Sequence, residues 1–351
     1  MSDAHSEITR RDCLRSIGTE SSKLATLARG NIAITGGTGF LGTWLVETIA
    51  ALNDEFDLEA RLQLYSRNPR DWAETVPHLA SRKDIEYQSV DIRAPFQFAP
   101  GTTHIIHAAG IPDNRVHSSD PLRVFHTSVV GTLNTLEAAS KQNKLEKFLF
   151  IGSGLLSSVP SAGRGGLEDH FLPFDPNTPH AVYLEGKRAA ENLSAIYRSQ
   201  FRIPVTVIRP FTLVGPYQLP DRPWAINNFI RDALAGGTIR LQGDGSPRRS
   251  FLYGSDAAFW TLCALASGAV ARAYNLGGGA PVSLKEAAEC VARVVGKHIK
   301  ISYGTLSKEQ MRPQDFYPDL SRIRTELGVK ESFTLQEAIE ATIAWQKSVE
   351  R

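Results

Sequence analysis

The stretch Asn31-Ile-Ala-Ile-Thr-Gly-Gly-Thr-Gly-Phe-Leu-Gly42 decides the fold of this chain. Its first five residues are typical of a buried strand, and three glycines follow at positions 36, 39 and 42. A helical pattern then begins at once, with its apolar residues on one face: Phe40, Leu41, Trp44, Leu45, Ile49 and Leu52.

Strand, glycine turn and helix in direct succession predict a site for the pyrophosphate of a dinucleotide. Gly36 permits the tight turn, Gly39 lets the backbone approach the phosphates, and Gly42 lets the helix pack close to the strand. The first helical residues, Phe40 and Leu41, would present unpaired N–H groups to the anion. Taken alone, the stretch also fits an ordinary glycine-rich turn.

Composition places the chain among ordinary globular proteins. Its 351 residues are 42% hydrophobic and 22% charged, and 39 Lys and Arg nearly balance 37 Asp and Glu. This balance disfavours nucleic acid or a membrane surface as a partner. Three cysteines without metal-like spacing, no bilayer-length apolar run and no signal-peptide core in the first thirty residues lead us to expect a cytoplasmic protein.

Short apolar runs alternate with longer helical patterns from Asn31 onward. The predicted strands are Ile32–Thr35, Leu62–Ser66, Ile85–Val90, His104–Ala108, Lys147–Gly152 and Val205–Arg209, and the main helical stretches are Leu122–Ser140 and Leu184–Gln200. This alternation predicts an α/β fold with a doubly wound, Rossmann-type parallel sheet, whose ligands lie at the carboxyl ends of the strands.

After Arg209 the pattern changes to prolines, glycines and aromatics, which predicts irregular loops. Further strands and helices are predicted at Thr238–Leu241, Ala273–Leu276, Lys300–Tyr303, Leu284–Val295 and Leu335–Lys347. We therefore expect a partly helical N-terminal extension (1–30), a dinucleotide-binding domain (31–209) and a smaller C-terminal α/β substrate-binding lobe (210–351). The chain is expected to return to the first domain around residues 238–279.

Tyr183 and Lys187 are spaced so that both lie on one face of a predicted helix. A nearby ammonium favours the phenolate, which would make the tyrosine an acid/base near neutrality. Ser153 closes a predicted strand of the same sheet, where its hydroxyl could meet Tyr183. The same spacing also occurs by chance on solvated helices.

These residues belong to a longer series of motifs that spans residues 31–345. The series comprises Thr-Gly-Gly-Thr-Gly-Phe-Leu-Gly (35–42), Val-Asp-Ile-Arg (90–93), His-Ala-Ala-Gly (107–110), Ser153, Tyr183-x-x-x-Lys187, Arg-Pro-Phe-Thr-Leu-Val-Gly-Pro (209–216), Gly-Asp-Gly-Ser-x-Arg-Arg-Ser-Phe (243–251) and Arg-Pro-x-Asp (312–315). In this order the chain resembles the extended short-chain dehydrogenase/reductases, in particular the NAD-dependent epimerase/dehydratase family that modifies nucleotide sugars.

The resemblance implies a role for each matching position. The catalytic residues would be Ser153, Tyr183 and Lys187, with Ser153 also orienting the substrate and Lys187 lowering the pKa of the tyrosine. The cofactor would contact Gly36, Gly39, Phe40, Leu41, Gly42, Ser66, Arg67, Asp91, Ile92, Ala108, Ala109, Gly110, Tyr183 and Lys187. Arg249 and Arg312 would hold the diphosphate of the substrate, with Arg248 a solvated charge. The resemblance also implies a homodimer formed through two paired helices.

Two departures from the family pattern refine this expectation. The second strand ends in Tyr65-Ser66-Arg67-Asn68, where NAD enzymes usually place an acid, so we expect NADP to be favoured over NAD. Gly154 and Leu155 follow Ser153, where dehydratases of the family carry Asp-Glu and the decarboxylases keep a glutamate. A 4,6-dehydratase or decarboxylase is therefore disfavoured, unless the later Glu168-Asp169-His170 replaces those acids.

We therefore predict an NAD(P)-dependent enzyme that acts on a nucleotide-diphosphate sugar, either a 4-epimerase or a 4-keto reductase. A reductase of a non-sugar alcohol or ketone and a non-catalytic dinucleotide sensor remain as alternatives. No metal is expected, because the histidines show no repeated ligand spacing and His104 and His107 fall on opposite faces of a strand.

Overall fold

The computed structural model describes residues 4–157, 165–173, 175–219, 221–296, 298–304 and 315–349. The strands are β1 (Asn31–Thr35), β2 (Arg61–Ser66), β3 (Ile85–Ser89), β4 (His104–His107), β5 (Lys147–Ile151), β6 (Val205–Pro210), β7 (Thr212–Val214), β8 (Ile239–Leu241), β9 (Arg248–Arg249), β10 (Phe251–Tyr253), β11 (Ala273–Leu276), β12 (Val282–Ser283) and β13 (Ile301–Tyr303).

The helices that connect and cover these strands are α1 (Ala4–Ile17), α2 (Phe40–Glu55), α3 (Pro69–Thr75), α4 (Pro77–Ala80), α5 (Asn114–Ser119), α6 (Pro121–Ser128), α7 (Val130–Ser140), α8 (Val182–Phe201), α9 (Ala225–Leu234), α10 (Gly254–Ser267), α11 (Leu284–Val295), α12 (Ser321–Leu327) and α13 (Leu335–Val349). Short 3₁₀ turns lie at Ser21–Leu27, Gly154–Leu156 and Pro179–Ala181. Within the described ranges, no helix combines the length and apolar character needed to cross a membrane.

Seven parallel strands form the central sheet in the order β11-β6-β5-β4-β1-β2-β3. The chain builds outward from β1 to β3, then crosses back to β4 and builds outward in the other direction. The carboxyl ends of β1 and β4 therefore flank the point where the strand order reverses, which is where ligands bind in open α/β sheets. The predicted doubly wound α/β fold is confirmed.

All six predicted strands of the first domain are present. The predicted helix Leu122–Ser140 is divided into α6 and α7, which meet at Val129. β11 pairs with β6 at the edge of the main sheet, so the chain does return to the first domain after residue 238. The smaller C-terminal part contains three two-stranded sheets, which pair β7 with β10, β8 with β13 and β9 with β12.

The N-terminal segment is part of the core, although the sequence predicted only an extension in front of the fold. α1 packs against α2 and α10, and Cys13 and Ile17 are fully buried. Thr9 donates a hydrogen bond to Glu47 of α2 over 2.8 Å, and Tyr253 donates one to Asp12 over 2.6 Å. Because α1 and α10 cover it, α2 is buried along its middle, from residue 42 to residue 52.

Candidate active site

The glycine turn after β1 lies directly against the loop that follows β4. Gly36 has a φ of +72°, and a Cβ at this position would lie 2.7 Å from both N and Cα of Ala109. A Cβ at Gly42 would lie 2.5 Å from the carbonyl oxygen of Gly36. Any side chain at Gly36 or Gly42 would therefore separate the turn from its neighbours, as the sequence predicted for these glycines.

The N-terminus of α2 opens onto this turn. Its N-cap is Gly39, and among the described residues no side chain caps it, so the first N–H groups, those of Phe40 and Leu41, are available to a ligand. Unpaired N–H groups and the positive end of the helix dipole favour an anion. The residues present therefore fit the pyrophosphate of a dinucleotide.

The end of β2 is polar and basic. The Oγ of Ser66 is buried and has no hydrogen-bond partner in the part of the chain that the structure describes. Partial burial, and then the neighbouring charge of Arg123, lowers the pKa of Arg67; Arg93 acts in the same direction and Asp91 opposes it. The charges of Arg93 and Arg123 therefore act on Arg67, the residue at which the sequence predicts the 2′-group of the cofactor.

Asp91 and Ile92, for which the family resemblance implies a contact with the cofactor, are held in place by other residues. The Nε of Arg93 lies 3.0 Å from both carboxylate oxygens of Asp91 and lowers the pKa of that group to about 2. Asn134 donates a hydrogen bond to the Ile92 carbonyl over 2.8 Å. A Cβ at Gly131 would lie 2.5 Å from Cδ1 of Ile92, so α7 packs tightly on this loop.

Ser153, Tyr183 and Lys187 come together at the carboxyl end of β5. The hydroxyl of Tyr183 hydrogen-bonds the side chain of Ser153, whose Oγ also accepts the Leu155 N–H over 3.2 Å. Ser153 is 5% exposed and Lys187 is 6% exposed. The predicted proximity of all three residues is what the structure contains.

The pKa shifts of Tyr183 and Lys187 differ from the expectation that the lysine lowers the pKa of the tyrosine. Burial raises the pKa of Tyr183, and the Ser153 hydrogen bond only partly opposes this. The Nζ of Lys187 donates to the carbonyl of Ile151 over 2.7 Å and lies 5.2 Å from the centroid of the Phe150 ring. Burial lowers the pKa of Lys187 to about 8, so the ammonium charge is held at a cost and is directed at the backbone carbonyl of Ile151.

Gly110 and Glu191 are neighbours of the Lys187 ammonium. A Cβ at Gly110 would lie 3.5 Å from its Nζ, so the loop after β4 reaches the lysine. Glu191, one turn along α8, raises the pKa of Lys187, although less than burial lowers it. Glu191 also forms a buried, two-point ion pair with Arg209, over 2.9 and 2.7 Å.

His117 is a neighbour of Tyr183 that the sequence did not single out. Its imidazole stacks on the Tyr183 ring, with centroids 4.6 Å apart and planes 15° apart. Its Nε2 lies 2.7 Å from the carbonyl oxygen of Ile111. A histidine in a six-residue helix gives no periodic signal, so only the folded arrangement identifies it.

Arg249 is connected to the Ser153 turn through two aromatic rings. The Phe211 ring fills the space beside Gly154, where a Cβ would lie 2.5 Å from it, and Phe316 stacks on Phe211 with centroids 4.7 Å apart. The guanidinium carbon of Arg249 lies 5.8 Å from the Phe316 centroid, and burial lowers the pKa of Arg249. Arg312 lies outside the described residues.

Arg248, which the sequence predicted to be a solvated charge, has a side chain 40% exposed and is also paired with an acid. Its Nε and Nη2 bind Asp315 over 3.0 and 2.9 Å, and its Nη2 also reaches the Tyr317 hydroxyl over 2.8 Å. The pairing was not predicted because 67 residues separate the partners in the chain. It attaches Asp315, the last residue of the Arg-Pro-x-Asp motif, to β9.

Glu168 and Asp169 are engaged in ion pairs and hydrogen bonds with residues other than the Ser153 group. Glu168 is buried and accepts the backbone N–H of Asn275 over 3.0 Å, and Asp169 binds Arg322. These contacts tie their loop to β11 and α12. They give neither carboxylate the place of a dehydratase acid.

The buried histidine of the His-Ala-Ala-Gly motif has a structural role. His107 lies 2.6 Å from the Thr35 hydroxyl and 3.0 Å from the Thr132 hydroxyl, and burial lowers its pKa to about 3. It is therefore neutral and links β1, β4 and α7. Within the described ranges, no group of three or more His, Cys, Asp or Glu could hold a metal ion.

The chain is similar in sequence to enzymes that modify nucleotide sugars. The NAD dependent epimerase/dehydratase family matches residues 32–277, more than half of the chain. The chain belongs to this family. UDP-glucuronic acid decarboxylase 1 of Xenopus tropicalis is 28% identical over 321 residues, covering 90% of this chain and 72% of that protein. UDP-glucuronate 4-epimerase of Thermodesulfobacterium geofontis is 26% identical over 335 residues, covering 91% and 96%.

Solved structures share the fold of this family member. UDP-glucuronic acid 4-epimerase from Bacillus cereus, in complex with UDP-glucuronic acid and NAD, superposes with a TM-score of 0.76 at 23% identity, covering 91% of this chain and 99% of that one. UDP-glucose 4-epimerase from Thermotoga maritima, with UDP-glucose, gives a TM-score of 0.77 at 18% identity, covering 92% and 100%. The chain is thus an enzyme of the family that modifies nucleotide sugars with a dinucleotide cofactor.

Proposed function

We propose that this enzyme oxidises and reduces carbon 4 of a nucleotide-diphosphate sugar, as a 4-epimerase or a 4-keto reductase. The observation that carries the proposal is the hydrogen bond between Tyr183 and Ser153 at the carboxyl end of β5, with Lys187 buried beside them. A non-catalytic dinucleotide sensor would have no need of this arrangement. A bound dinucleotide would supply the hydride acceptor or donor.

Tyr183 is the group that moves the proton of the sugar hydroxyl. Burial raises its pKa, so the phenol is protonated at neutral pH and suited to donate a proton during reduction. In the oxidation direction the phenolate form of Tyr183 would accept the proton that the sugar hydroxyl gives up, while the hydride goes to the dinucleotide. Ser153 already holds the phenol oxygen and would orient the sugar hydroxyl towards it.

The residues after Ser153 favour simple oxidation and reduction over elimination or decarboxylation. The Phe211 ring occupies the space that any side chain at Gly154 would need. Leu155 is 41% exposed, and its side chain has no group that can donate or accept a proton. Several relatives at 25–28% identity are named as decarboxylases or a dehydratase, so this preference rests on the residues of this chain. Incubation with UDP-glucuronic acid and the dinucleotide tests it: formation of the 4-epimer would support the 4-epimerase, whereas enzymatic release of carbon dioxide would contradict the proposal.

Arg249 supports a charged, diphosphate-bearing substrate. Burial lowers the pKa of this guanidinium, which the charge of Asp315 partly opposes, and its planar fork fits the oxygens of a diphosphate. A thermal-shift panel of UDP-glucuronic acid, UDP-glucose and dTDP-glucose, each with NADP or NAD, would identify the ligand. Stabilisation by none of these, together with turnover of an uncharged ketone, would favour the non-sugar reductase instead.

Tyr183→Phe tests the acid/base role. The variant should lose about 10²- to 10⁴-fold in kcat while still binding the dinucleotide, because only the hydroxyl is removed. Tyr197→Phe is the matched control, since Tyr197 lies on the same helix, α8, and stacks on Phe201 away from Ser153. Full activity of Tyr183→Phe would refute the mechanism.

We further propose that NADP is preferred to NAD. The support is the unpartnered Oγ of Ser66 beside Arg67, with the charges of Arg93 and Arg123 nearby. Solved relatives carry NAD in their complexes, so the preference is a property of these residues. Arg67→Ala should weaken NADP binding about 10- to 100-fold and leave NAD unchanged. Arg61→Ala, exposed at the opposite end of β2, is the control; equal loss for both dinucleotides would refute the preference.

We also propose that the protein is a homodimer through α6 and α8. These two helices pack together and carry exposed apolar side chains, of which Leu122 is 63%, Phe201 55%, Ile196 39% and Phe125 38% exposed. Light scattering should give the mass of a dimer, and Leu122→Glu should give a monomer. Leu219→Glu, at a leucine 53% exposed elsewhere, is the control. A monomeric wild type would refute the proposal.

A further inference from the structure

The ring of Tyr183 is covered by an imidazole from a different part of the chain. His117 stacks on it nearly parallel, with centroids 4.6 Å apart and planes 15° apart. A separation of this size corresponds to an offset stack, the favourable arrangement for two aromatic rings. The contact joins α5 to α8, and His117 lies 66 residues before Tyr183 in the chain.

The imidazole is fixed at its other edge. Its Nε2 lies 2.7 Å from the carbonyl oxygen of Ile111, and a carbonyl can only accept, so Nε2 carries the proton and donates. Ile111 directly follows Gly110, the residue whose Cα lies beside the Lys187 ammonium. One loop after β4 therefore borders Lys187 and anchors the ring that covers Tyr183.

The short helix that carries His117 is itself held at its N-terminus. Asp113 caps α5 by accepting the Arg115 N–H over 3.0 Å, and it binds Arg222 of the C-terminal part over 2.9 Å. Arg115 also binds the same carboxylate through its side chain, over 2.7 Å. α5 is thus connected to both parts of the molecule, which leaves His117 little freedom to withdraw from Tyr183.

We propose that His117 is a positioning residue for Tyr183: it holds the phenol ring in place so that its hydroxyl stays on Ser153, and it keeps water from one face of the ring. The inference rests on the proposed function, in which Tyr183 moves the proton. A ring stacked parallel to the phenol points its nitrogens along its own plane, so His117 is not placed to exchange a proton with the hydroxyl. It acts through the position of Tyr183.

The first test follows the ionisation of Tyr183 and needs no substrate. The ultraviolet difference spectrum of the full-length protein against Tyr183→Phe reports the phenolate as pH rises. The groups that contact this phenol are Ser153, which follows β5, and His117 from α5, while Lys187 lies one turn further along the helix that carries Tyr183. In His117→Ala the midpoint should fall by about 0.5 to 1, because water reaches the ring.

Two further variants separate stacking from anchoring. His117→Phe keeps a flat ring without the donor to Ile111 and should retain the wild-type midpoint. His117→Asn keeps a donor without the ring and should behave like His117→Ala. His126→Ala removes an exposed histidine of the neighbouring helix α6 and is the control. An unchanged midpoint in His117→Ala, or restoration by His117→Asn alone, would overturn the inference.

Turnover gives the second readout, with UDP-glucuronic acid as the probe. His117→Ala should lower kcat about 3- to 10-fold with little change in KM, and His117→Phe should recover most of the loss. A raised KM at constant kcat would overturn a positioning role. If Tyr183→Phe remained active, the proposed function would fail instead, whereas the titration of Tyr183 would still decide whether His117 covers its ring.

Discussion

Replacing Lys187 by methionine should stabilise the protein while abolishing its turnover. Lys187 is 6% exposed, and burial lowers its pKa from 10.5 to about 8. At about 1.4 kcal/mol per pKa unit, this lowering corresponds to roughly 3 kcal/mol by which the charged lysine disfavours the folded state at neutral pH. Methionine has a similar length and no charge, so it removes this cost.

The sign of the pH dependence follows from the two pKa values. Between about pH 8 and 10.5 the unfolded chain binds more protons at this position than the folded chain, so the free energy of unfolding of the wild type rises with pH. Below this window the full cost is present, and above it the cost is absent. The stability gap between Lys187→Met and the wild type should therefore narrow by roughly 2–3 kcal/mol from about pH 7 to about pH 10.

Urea unfolding of both proteins at the two pH values measures this gap. The comparison cancels every other titrating group, and it also cancels the pH-independent loss of the hydrogen bond to Ile151. Lys141→Met, at an exposed lysine that follows α7, is the matched control and should leave the gap constant because no burial cost is removed. A gap for Lys187→Met that is equal at both pH values would refute the reasoning.

Two further substitutions test the packing around the site. Gly36→Ala should cost about 1–3 kcal/mol of stability and weaken dinucleotide binding in a thermal-shift titration, because its Cβ would meet backbone atoms at 2.7 Å. Gly236→Ala is the control for the backbone conformation alone, because Gly236 has a φ of +70° and no atom within 4 Å of an added Cβ. Equal losses of stability in the two variants would contradict the close approach at Gly36. Glu191→Ala should lower the free energy of unfolding by about 3–5 kcal/mol, measured with urea, because it leaves Arg209 charged and buried. Glu185→Ala removes the more exposed pair with Arg188 on the same helix and should cost less than about 1 kcal/mol. Similar losses in the two variants would show that burial of the Glu191–Arg209 pair is not decisive.

Much of the candidate site could be predicted because its residues are close in sequence or follow strands. Gly36, Gly39 and Gly42 fall within one turn, and their spacing already implies close contacts between backbone atoms. Tyr183 and Lys187 share a helix face because they are four residues apart. Ser153 meets them because the carboxyl ends of parallel strands lie at one edge of the sheet.

Contacts between distant segments could not be predicted in this way. The stack of His117 on Tyr183, the pairing of Arg248 with Asp315 and the burial of α1 against α2 each join residues far apart in the chain. No local pattern distinguishes these residues from solvated ones, because histidines and arginines without such partners are also common on protein surfaces. Only the packing of the elements selects their partners.

The sequence by itself determined the α/β fold, the glycine turn between β1 and α2, and the presence of a hydroxyl, a phenol and an ammonium near one strand end. Local spacing and strand order suffice for these conclusions, since they depend on backbone geometry. The tertiary structure decided the electrostatics: burial raises the pKa of Tyr183 and lowers that of Lys187, which opposes the simple expectation from their proximity. Desolvation depends on everything that surrounds a group, and that surrounding exists only in the folded chain.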